Sequence, residues 1–502
     1  MRRAHELFWQ THPALLLALS FLLGTSSYLY KISCFFPLIW LIYLGWINFS
    51  FLFRGVCLLL LSWGYSFALY QNAPRASVAT YVKGVFSVSS LQPHQSPFHR
   101  GLLYKGTLYL PDAISCSMCL SGGNRPLADQ DYFVEGLLVE RSPFSYTLKM
   151  KKCRPLGPEK TTWRSAEMRY QSKEALRLFL QKNLSKKSAS LLGSLLTGDV
   201  EDRLLRYEFS KTGLQHLLSI SGFHFALLTT FFSFSFGLFF SQPLKTYLLL
   251  LTLFGYFLFV GPSPAIFRSF CAVSLYLIGK ILGRHPIALN LLGCAMLLEL
   301  IFDPTVSAHI GFQLSFLSCA ALLLLFSPLQ ALIEKWLPRR GQSELAQMSF
   351  LSPFGYLIST FFKKSLSVTF AVNLALLPLL FYHFHKWPLL SLFYNLFFPL
   401  SVALAIYLLI PSLLAYLLFA PLGKFLLKLT DFWTNQLLDL VSHPPLFLDR
   451  TCALANLPDW ACAGYLFLLF FLAIANHTIR DKLLIANGHQ KNNVLTLQAI
   501  RK

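Results

Sequence analysis

Apolar runs of nearly bilayer length recur throughout this chain. A helix needs about 20 mostly apolar residues to cross the hydrocarbon core of a membrane. Only 13% of the residues are charged and 55% are hydrophobic, whereas soluble domains carry about 25% charge. The chain is therefore predicted to be a polytopic α-helical membrane protein with about 12 spans or re-entrant segments. These segments lie near residues 13–30, 35–53, 55–71, 224–240, 246–261, 263–283, 286–302, 306–327, 365–382, 388–417, 424–441 and 460–476.

One of these segments, 388–417, contains Pro399 and Pro411, so it is either one span or a broken or re-entrant pair. A cleaved signal peptide is the alternative for the first run. It is disfavoured because the run has no clean small-residue cleavage site and two further spans follow at once.

The placement of basic residues predicts the orientation. Cytoplasmic loops are enriched in Lys and Arg, so Arg2 and Arg3 place the N-terminus inside. Three spans, the membrane segment 1–73, then bring the chain to the outer face. An even number of spans returns the C-terminus, with the basic tail 479–502, to the cytoplasm. The short outer loops hold only Lys31, Lys386 and Arg450.

Residues 74–162 show alternation of apolar and polar residues in place of long apolar runs. Period-2 runs bounded by turn residues predict an inserted small β-barrel or sandwich of about five strands, here extracytoplasmic. Up to residue 165 this region holds twelve Lys and Arg against six Asp and Glu. Cations and aromatic rings suit a single-stranded nucleic acid, although the rings could instead form the domain core. The candidate contact residues are Lys83, Tyr104, Lys105, Lys149, Lys151 and Lys152.

Three cysteines, Cys116, Cys119 and Cys153, lie in this β domain. A structural zinc needs four ligands, and no histidine pair stands nearby at zinc-finger spacing. Outside the cytoplasm a disulfide is the favoured state of such thiols. We therefore expect Cys153 to be bridged to Cys116 or to Cys119, with one thiol left over, and we predict no metal site.

Residues 163–214 are too charged to span a membrane. Their leucines and phenylalanines repeat at helical spacing while most cations fall elsewhere on the wheel, which predicts amphipathic helices at the interface. This region is expected to be structural unless one of its charged residues faces a pathway. The charged residues concerned are Asp199, Glu201, Asp202 and Arg203.

The stretch QHLLSISGFHFALL at 215–228 opens a predicted membrane domain over 215–478 and places polar groups within an apolar segment. Polar groups at membrane depth persist where protein or water surrounds them. One interpretation is that they line a pathway. The other is a helix start with Ser221 as cap and Gly222 as hinge. The candidate pathway residues here are His216, Ser219, Ser221, Gly222 and His224.

Two further stretches have the same character. GPSPAIFRSF at 261–270 places Arg268 at the start of a span, and HIGFQLSF at 309–316 places Gln313 within an apolar run. A buried arginine in a membrane bundle requires a partner, such as Asp199, or an anionic substrate. A snorkelling arginine is the alternative. Arg268, Gln313 and Asp199 complete the candidate pathway residues.

The run LLTGDVEDRLLRYEFSKTGLQHLLSISGFHFALL, followed by GPSPAIFRSF and GFQLSF, resembles the membrane competence domain of the ComEC family. The β domain between membrane segments is similar to that family's oligonucleotide-binding-fold domain. Two positions depart from the family pattern. Phe225 stands where a valine-like residue is usual, and Ser269 stands where alanine usually follows the arginine at 268.

The resemblance implies an inner-membrane channel that imports single-stranded DNA during natural transformation, with no enzymatic activity and no cofactor. The expected partners are single-stranded DNA, membrane lipid, a periplasmic DNA-receptor protein and a cytoplasmic motor or strand-binding protein. The family's C-terminal metallo-β-lactamase-like domain is expected to be lacking, because His383 and His385 are not followed by an Asp-His pair. Strand degradation would then belong to a separate nuclease. No ATP-binding loop of the form G-x-x-x-x-G-K-[ST] occurs in the sequence.

Two other functions remain open. One is a small-molecule transporter. The other is an intramembrane serine protease with Ser221 as nucleophile and His216 or His224 as base, because such chemistry needs a hydroxyl and an imidazole within hydrogen-bond reach.

Overall fold

The computed structural model describes residues 1–29, 35–71, 80–95, 100–110, 113–120, 127–128, 131–142, 145–156, 165–336, 352–445, 451–453, 458 and 460–478. The chain begins with helices α1 (Arg2–Thr11), α2 (Pro13–Leu29), α3 (Phe35–Trp46) and α4 (Phe51–Gln71). Strands follow: β1 (Thr80–Gln95), β2 (Arg100–Tyr109), β3 (Ala113–Leu120), β4 (Asp131–Ser142) and β5 (Ser145–Pro155).

Helices then resume with α5 (Ser165–Asn183), α6 (Lys186–Thr197), α7 (Arg203–Lys211), α8 (Gln215–Leu218), α9 (Gly222–Gly237), α10 (Gln242–Val260) and α11 (Pro264–Ile281). After them come α12 (Ala288–Phe302), a 3₁₀ helix (Pro304–Ala308), α13 (Ile310–Trp336) and α14 (Ser352–Phe384). The last elements are β6 (Lys386–Pro388), α15 (Leu390–Leu418), α16 (Ala420–Ser442), β7 (Thr451–Ala453) and α17 (Trp460–Thr478).

Each of the twelve predicted apolar segments contains a helix. Within the described residues, seven helices are long and apolar enough to cross a membrane: α4, α10, α11, α13, α14, α15 and α17. Helices α1 and α2, bent by 98° at their junction, would add an eighth if they form one span. The chain is therefore a multi-pass membrane protein. The count is smaller than predicted because α3, α9 and α12 are short and α16 carries Lys428, Asp431 and Asp439.

The segment predicted as a span or a broken pair at 388–417 is one continuous helix, α15, which accommodates Pro399 and Pro411. At 29 residues it is about 44 Å long, well beyond the roughly 30 Å of a hydrocarbon core.

The described chain divides into two compact units. The first contains residues 1–71, 285–387 and the described residues from 451 onward, and the second contains 72–284 and 388–450. In the first unit, α1 is fixed to α3 by polar contacts. The Trp9 Nε1 donates to the Tyr43 hydroxyl at 2.7 Å, and that hydroxyl lies 2.7 Å from the His5 Nδ1. These polar atoms are paired within an apolar core, as lipid surroundings require.

Helices α2 and α4 of the first unit pack backbone to backbone through two glycines. A Cβ at Gly64 would lie 2.6 Å from the Phe21 carbonyl oxygen, and one at Gly24 would meet the Leu61 carbonyl. Small residues at a helix crossing permit this close approach in membranes. Gly55, in the same helix α4, has open space around it.

In the second unit the β strands form a closed barrel in the order β1-β2-β3-β5-β4. The β3–β5 pair is parallel and the other pairs are antiparallel. The predicted barrel of about five strands is confirmed, and its closed five-stranded form is that of an oligonucleotide-binding-like fold. Closure leaves no open sheet edge. The buried core contains Phe86, Tyr104, Leu108, Met118 and Val134.

The predicted disulfide from Cys153 is absent, since Cys116, Cys119 and Cys153 are all thiols in the structure. Strand register explains why. Cys116 pairs with Tyr146 and Met118 pairs with Leu148 on β5, so Cys153 lies at least four residues beyond either thiol. At about 3.3 Å per residue this exceeds the 7 Å that a bridge tolerates between Cα atoms. Cys116 instead packs as a small hydrophobe in the core, where burial raises the pKa of its thiol to about 12.

Helix α5 belongs to the barrel at one end and to the helical part of the second unit at the other. Ala166 and Tyr170 pack with the barrel core, which extends the packed domain beyond the predicted boundary at 162. Leu180 and Leu184 pack with α6, α15 and α16 in a separate apolar core. Helix α5 is thus a connecting element with two packed ends, and its position at the membrane interface stays a prediction.

We predict that Gly64→Ala destabilises the protein by about 1–3 kcal/mol, because a methyl group would force α2 and α4 apart. The matched control is Gly55→Ala in the same helix, which should be neutral or stabilise by up to about 1 kcal/mol, the difference in helix propensity. Thermal unfolding of the detergent-solubilised variants measures both. Equal melting temperatures for the two variants would contradict the close packing at Gly64.

Candidate functional site

The turn from α8 to α9 separates polar from apolar side chains on its two sides. His216 and Ser219 are exposed, while Leu217, Leu218 and Ile220 are buried. Desolvation by burial nevertheless lowers the pKa of His216. His216 and Ser219 thus keep exposed surface, and their place on a pathway stays a prediction.

The next residues form the start of α9. The Ser221 amide donates to the His224 Nδ1 at 3.3 Å, and the Ser221 hydroxyl lies 3.4 Å from the same nitrogen. His224 therefore takes the place of the usual Glu or Gln in a capping box. Its side chain is 2% exposed, so His224 does not line an accessible surface, contrary to the pathway interpretation. The helix-start interpretation holds for Ser221 and His224, whereas the pathway interpretation stays a prediction for the exposed His216 and Ser219.

The capping contact also bears on the protease alternative. A Ser–His pair at 3.4 Å is within reach for activation of a nucleophile. The His224 Nδ1, however, already accepts the Ser221 amide, and its Nε2 has no hydrogen-bond partner among the described residues. A base needs a third group that orients it. The pair is explained by helix capping.

Arg268 of α11 lies against this helix start. Its side chain is 7% exposed, and a Cβ at Gly222 would lie 3.3 Å from its Nη2. The same nitrogen lies 3.4 Å from the Ser269 hydroxyl, which donates to the Ala265 carbonyl. A cation beside a helix N-terminus is electrostatically unfavourable, because that end carries a partial positive charge. Arg268 thus brings a buried positive charge to the N-terminal end of α9.

Asp199 belongs to a turn packed against the same segment. Gly198 has a left-handed backbone, φ 78°, and the Cβ it lacks would lie 3.1 Å from the Ile220 side chain. The Asp199 carboxylate pairs with Lys173 at 3.1 Å and with Arg177 at 2.8 Å. Asp199 thus has α5 partners, which the sequence did not indicate.

Gln313 belongs to the first unit. Its side-chain amide donates to the Ser307 carbonyl at 3.1 Å, and its oxygen lies 3.2 Å from the His383 Nε2. His383, which the sequence offered only as half of an incomplete metal motif, is therefore a hydrogen-bond partner. No group of three or more potential metal ligands occurs among the described residues.

One outer face of the barrel combines cations with aromatic rings. On β5 the exposed cations Lys149, Lys152 and Arg154 pair across β4 with Leu137, Glu135 and Phe133. Beyond β4, the neighbours on β1 and β2 include Tyr81, Lys83 and Tyr109, with Tyr81 50% and Tyr109 52% exposed. Neighbouring side chains on one face of a sheet lie close enough to act together. We call Tyr81, Lys83, Tyr109, Lys149, Lys152 and Arg154 the basic face.

The predicted contact residues of the barrel differ in their exposure and in the face on which they lie. Lys83, Lys149 and Lys152 lie on the basic face, and Lys151 is exposed at a β-bulge beside it. Tyr104 is wrong as a contact residue, because it is fully buried in the core, on the opposite side of β2 from Lys105. Glu135 within the face pairs with Lys83 at 3.4 Å and accepts a hydrogen bond from Tyr81.

Lys105 lies elsewhere on the barrel. It keeps exposed surface, yet desolvation by burial lowers its pKa and the negative charge of Asp199 opposes that change. Its neighbours across the sheet are Ser90 on β1 and Ser117 on β3, so Lys105 is separate from the basic face.

The chain was compared with known proteins. The family model described as "Competence protein" matches residues 195–478, more than half of the chain. ComE operon protein 3 of Bacillus subtilis (strain 168) is 26% identical over 266 residues, which are 51% of this chain and 30% of that protein. The chain thus covers less than a third of that relative's length. No solved structure matches the chain.

We predict that cysteines placed at His216 and Ser219 react with a membrane-impermeant maleimide, whereas cysteines at Leu217, Leu218 and His224 do not. The reason is that only water-exposed thiols form thiolate readily. The ten native cysteines are first replaced by serine or alanine, and labelling rates are measured by mass shift. Uniform protection of positions 216 and 219 would show that the turn faces packed protein or lipid.

Proposed function

The chain belongs to the Competence protein family, the ComEC family that its motifs resemble, and from this we propose that it is an inner-membrane channel that imports single-stranded DNA. The observation that carries the proposal is the exposed polar pair of His216 and Ser219, just before the start of α9 at Gly222, where the buried Arg268 packs. Exposed polar side chains within a membrane domain are stable where water or a polar substrate contacts them.

The physical demands on such a channel are met by the kinds of groups present. A polyanion cannot cross hydrocarbon, so it needs a wet route with cationic or dipolar walls. Arg268 and the α9 N-terminus supply positive potential, while the serines supply neutral hydrogen-bond partners. In this proposal the strand passes His216 and Ser219, and Arg268 attracts its phosphates.

The barrel would receive the strand on the outer side of the membrane. Lys149, Lys152 and Arg154 would contact phosphates, and the exposed rings of Tyr81 and Tyr109 would stack on bases. A DNA-receptor protein in the periplasm would deliver the strand, a cytoplasmic motor or strand-binding protein would draw it in, and a separate nuclease would degrade the other strand.

We predict that the triple variant Lys149→Gln, Lys152→Gln, Arg154→Gln binds single-stranded oligonucleotides more weakly than the unaltered protein. Its plot of log K against log salt should be shallower by about 2, because each phosphate contact contributes about −0.7 to that slope. Fluorescence anisotropy with the full chain in nanodiscs measures both quantities. The control removes three exposed lysines elsewhere, with Lys182→Gln, Lys187→Gln and Lys424→Gln.

A second variant, which should raise oligonucleotide affinity instead of lowering it, tests the same basic face. Glu135→Gln frees Lys83 from its ion pair and removes a negative charge from the middle of the face, so oligonucleotide affinity should rise. Equal loss of affinity in the control triple, or no gain with Glu135→Gln, would locate strand binding elsewhere.

The importing role is tested in cells that lack the chromosomal gene and carry plasmid copies. We predict that Arg268→Leu abolishes arrival of labelled DNA in the cytoplasm while DNA still reaches the periplasm and the protein stays in the membrane. Ser221→Ala should retain most uptake, because it removes only one capping hydroxyl. Full cytoplasmic entry without the gene would overturn the channel. Loss of all function with Ser221→Ala would favour a protease, and DNA-independent solute flux in proteoliposomes would favour a transporter.

A further inference from the structure

The second unit contains an apolar cavity that the proposed function does not use. It has a volume of about 340 Å³ and lies between α10 and the helices α5, α6, α9 and α15. Helix α10 contributes half of the lining, and every lining residue belongs to the second unit, so the cavity lies within one compact body. The lining residues are Leu176, Leu196, Leu228, Phe232, Thr252, Leu253, Gly255, Tyr256, Phe259 and Ile410.

The lining offers water almost nothing to bind. Among the described lining residues, only Thr252 and Tyr256 carry polar side-chain atoms. The Thr252 hydroxyl donates to the Leu248 carbonyl at 2.8 Å, and the Tyr256 hydroxyl donates to the Leu196 carbonyl at 3.4 Å. A buried water needs about two to four polar partners, and an apolar cavity of roughly 150 Å³ in another protein stays dry and binds benzene. The cavity therefore favours hydrocarbon over water.

The cavity opens on a surface of α10 that faces lipid. Helix α10 is long and apolar enough to span the membrane. Its side chains Leu251, Phe254 and Leu258 repeat at helical spacing and are 68%, 48% and 45% exposed, which is the pattern of a lipid-facing stripe. Gly255 lies beside this stripe, is itself exposed and lines the cavity. A Cβ at Gly255 would meet no neighbouring atom within 4 Å, so the absence of a side chain leaves an entrance from the lipid.

A lipid acyl chain is the occupant that fits these conditions. It already lies in apolar surroundings, so entering the cavity changes its hydrophobic free energy little. Packing is what changes, because the lining of an empty cavity lacks partner atoms on one side, and a chain that fills the cavity restores those dispersion contacts. A chain is also narrow enough to enter past a glycine, whereas a helix from a second copy of the protein is about 10–12 Å in diameter.

We propose that an acyl chain of a bilayer phospholipid enters past Gly255 and occupies this cavity, where it forms part of the packed core of the second unit. The chain contacts five helices at once and so stabilises their packing. The proposal is independent of the channel, because it requires a bilayer around the protein but no DNA.

The test is photocrosslinking of the full chain in nanodiscs that contain a phosphatidylcholine with a diazirine near the end of one acyl chain. Mass spectrometry of the digested protein locates the adducts. We expect adducts at Leu196 of α6 and Leu228 of α9, which line the cavity, as well as at the exposed Leu251 and Phe254, which any surrounding lipid reaches. Adducts at the exposed pair alone would show ordinary lipid contact with α10 and would overturn the proposal.

A plug at the entrance makes the test specific. Gly255→Trp should reduce the adducts at Leu196 and Leu228 several-fold, while the adducts at the exposed pair remain. The matched control is Gly464→Trp in α17, because Gly464 is also an exposed glycine of a spanning helix with open space at its Cβ position. Equal cavity adducts in the two variants would reject entry past Gly255. If Gly255→Trp does not accumulate in the membrane, Gly255→Leu is the smaller plug, with the same expectation.

Thermal stability gives a second readout. After bound lipid is removed in detergent, added phosphatidylcholine should raise the melting temperature of the unaltered protein by several degrees, because a ligand that binds only the folded state stabilises it. Gly464→Trp should gain as much, and Gly255→Trp should gain far less. An equal gain in all three proteins would place the lipid effect elsewhere and overturn the proposal. Stabilisation of the unaltered protein by decane but not by phospholipid would assign the cavity to a small apolar solute, and it would equally overturn a phospholipid chain as the occupant.

Discussion

A polar group that faces lipid tails has no partner there, and this constraint accounts for most of what the chain does with its polar residues. Ser221 and His224 pair at the start of α9, and Tyr43 pairs with both His5 and Trp9. Against this background the pair of His216 and Ser219 is informative, because both side chains are polar and exposed within a domain of membrane helices.

Helix α5 runs without a break from the barrel to the helical core of the second unit. The helix begins in the barrel core at Ala166 and Tyr170 and ends in the helical core at Leu180 and Leu184. Each end is fixed by apolar burial, which stabilises by roughly 25 cal/mol per Å². The charged middle, with Lys173 and Arg177, would be costly to bury without Asp199. Helix α5 and the Asp199 ion pairs therefore connect the barrel to the helices of the second unit.

Local patterns predicted a large part of the fold. Apolar runs located the helices, and period-2 alternation located four of the barrel strands and an approximate count of five. Successive side chains of a strand point to opposite faces. Since Lys105 would be costly to bury, its neighbour Tyr104 could have been assigned to the core from the sequence. The alternative of a helix start with Ser221 as cap was also available from the sequence, and it describes Ser221 and His224.

The predictions that were wrong depended on contacts between residues that are distant in sequence. Whether Cys153 can reach Cys116 is decided by the parallel register of β3 and β5, which no local pattern records. The partners of Asp199 lie 22 and 26 residues before it in α5. His224 was predicted to be a pathway residue because histidine is an uncommon member of a capping box. Its i, i+3 spacing from Ser221 is nevertheless that of a capping box.

The most direct test of the channel is to catch the strand inside it. A photoreactive amino acid at Ser219, with Leu218 as the neighbouring control, would be activated in cells that are importing labelled DNA. The account predicts covalent adducts between the labelled strand and the protein at position 219 and few at position 218. Active import with adducts at neither position, or with equal adducts at both, would contradict a route that passes the α8–α9 turn.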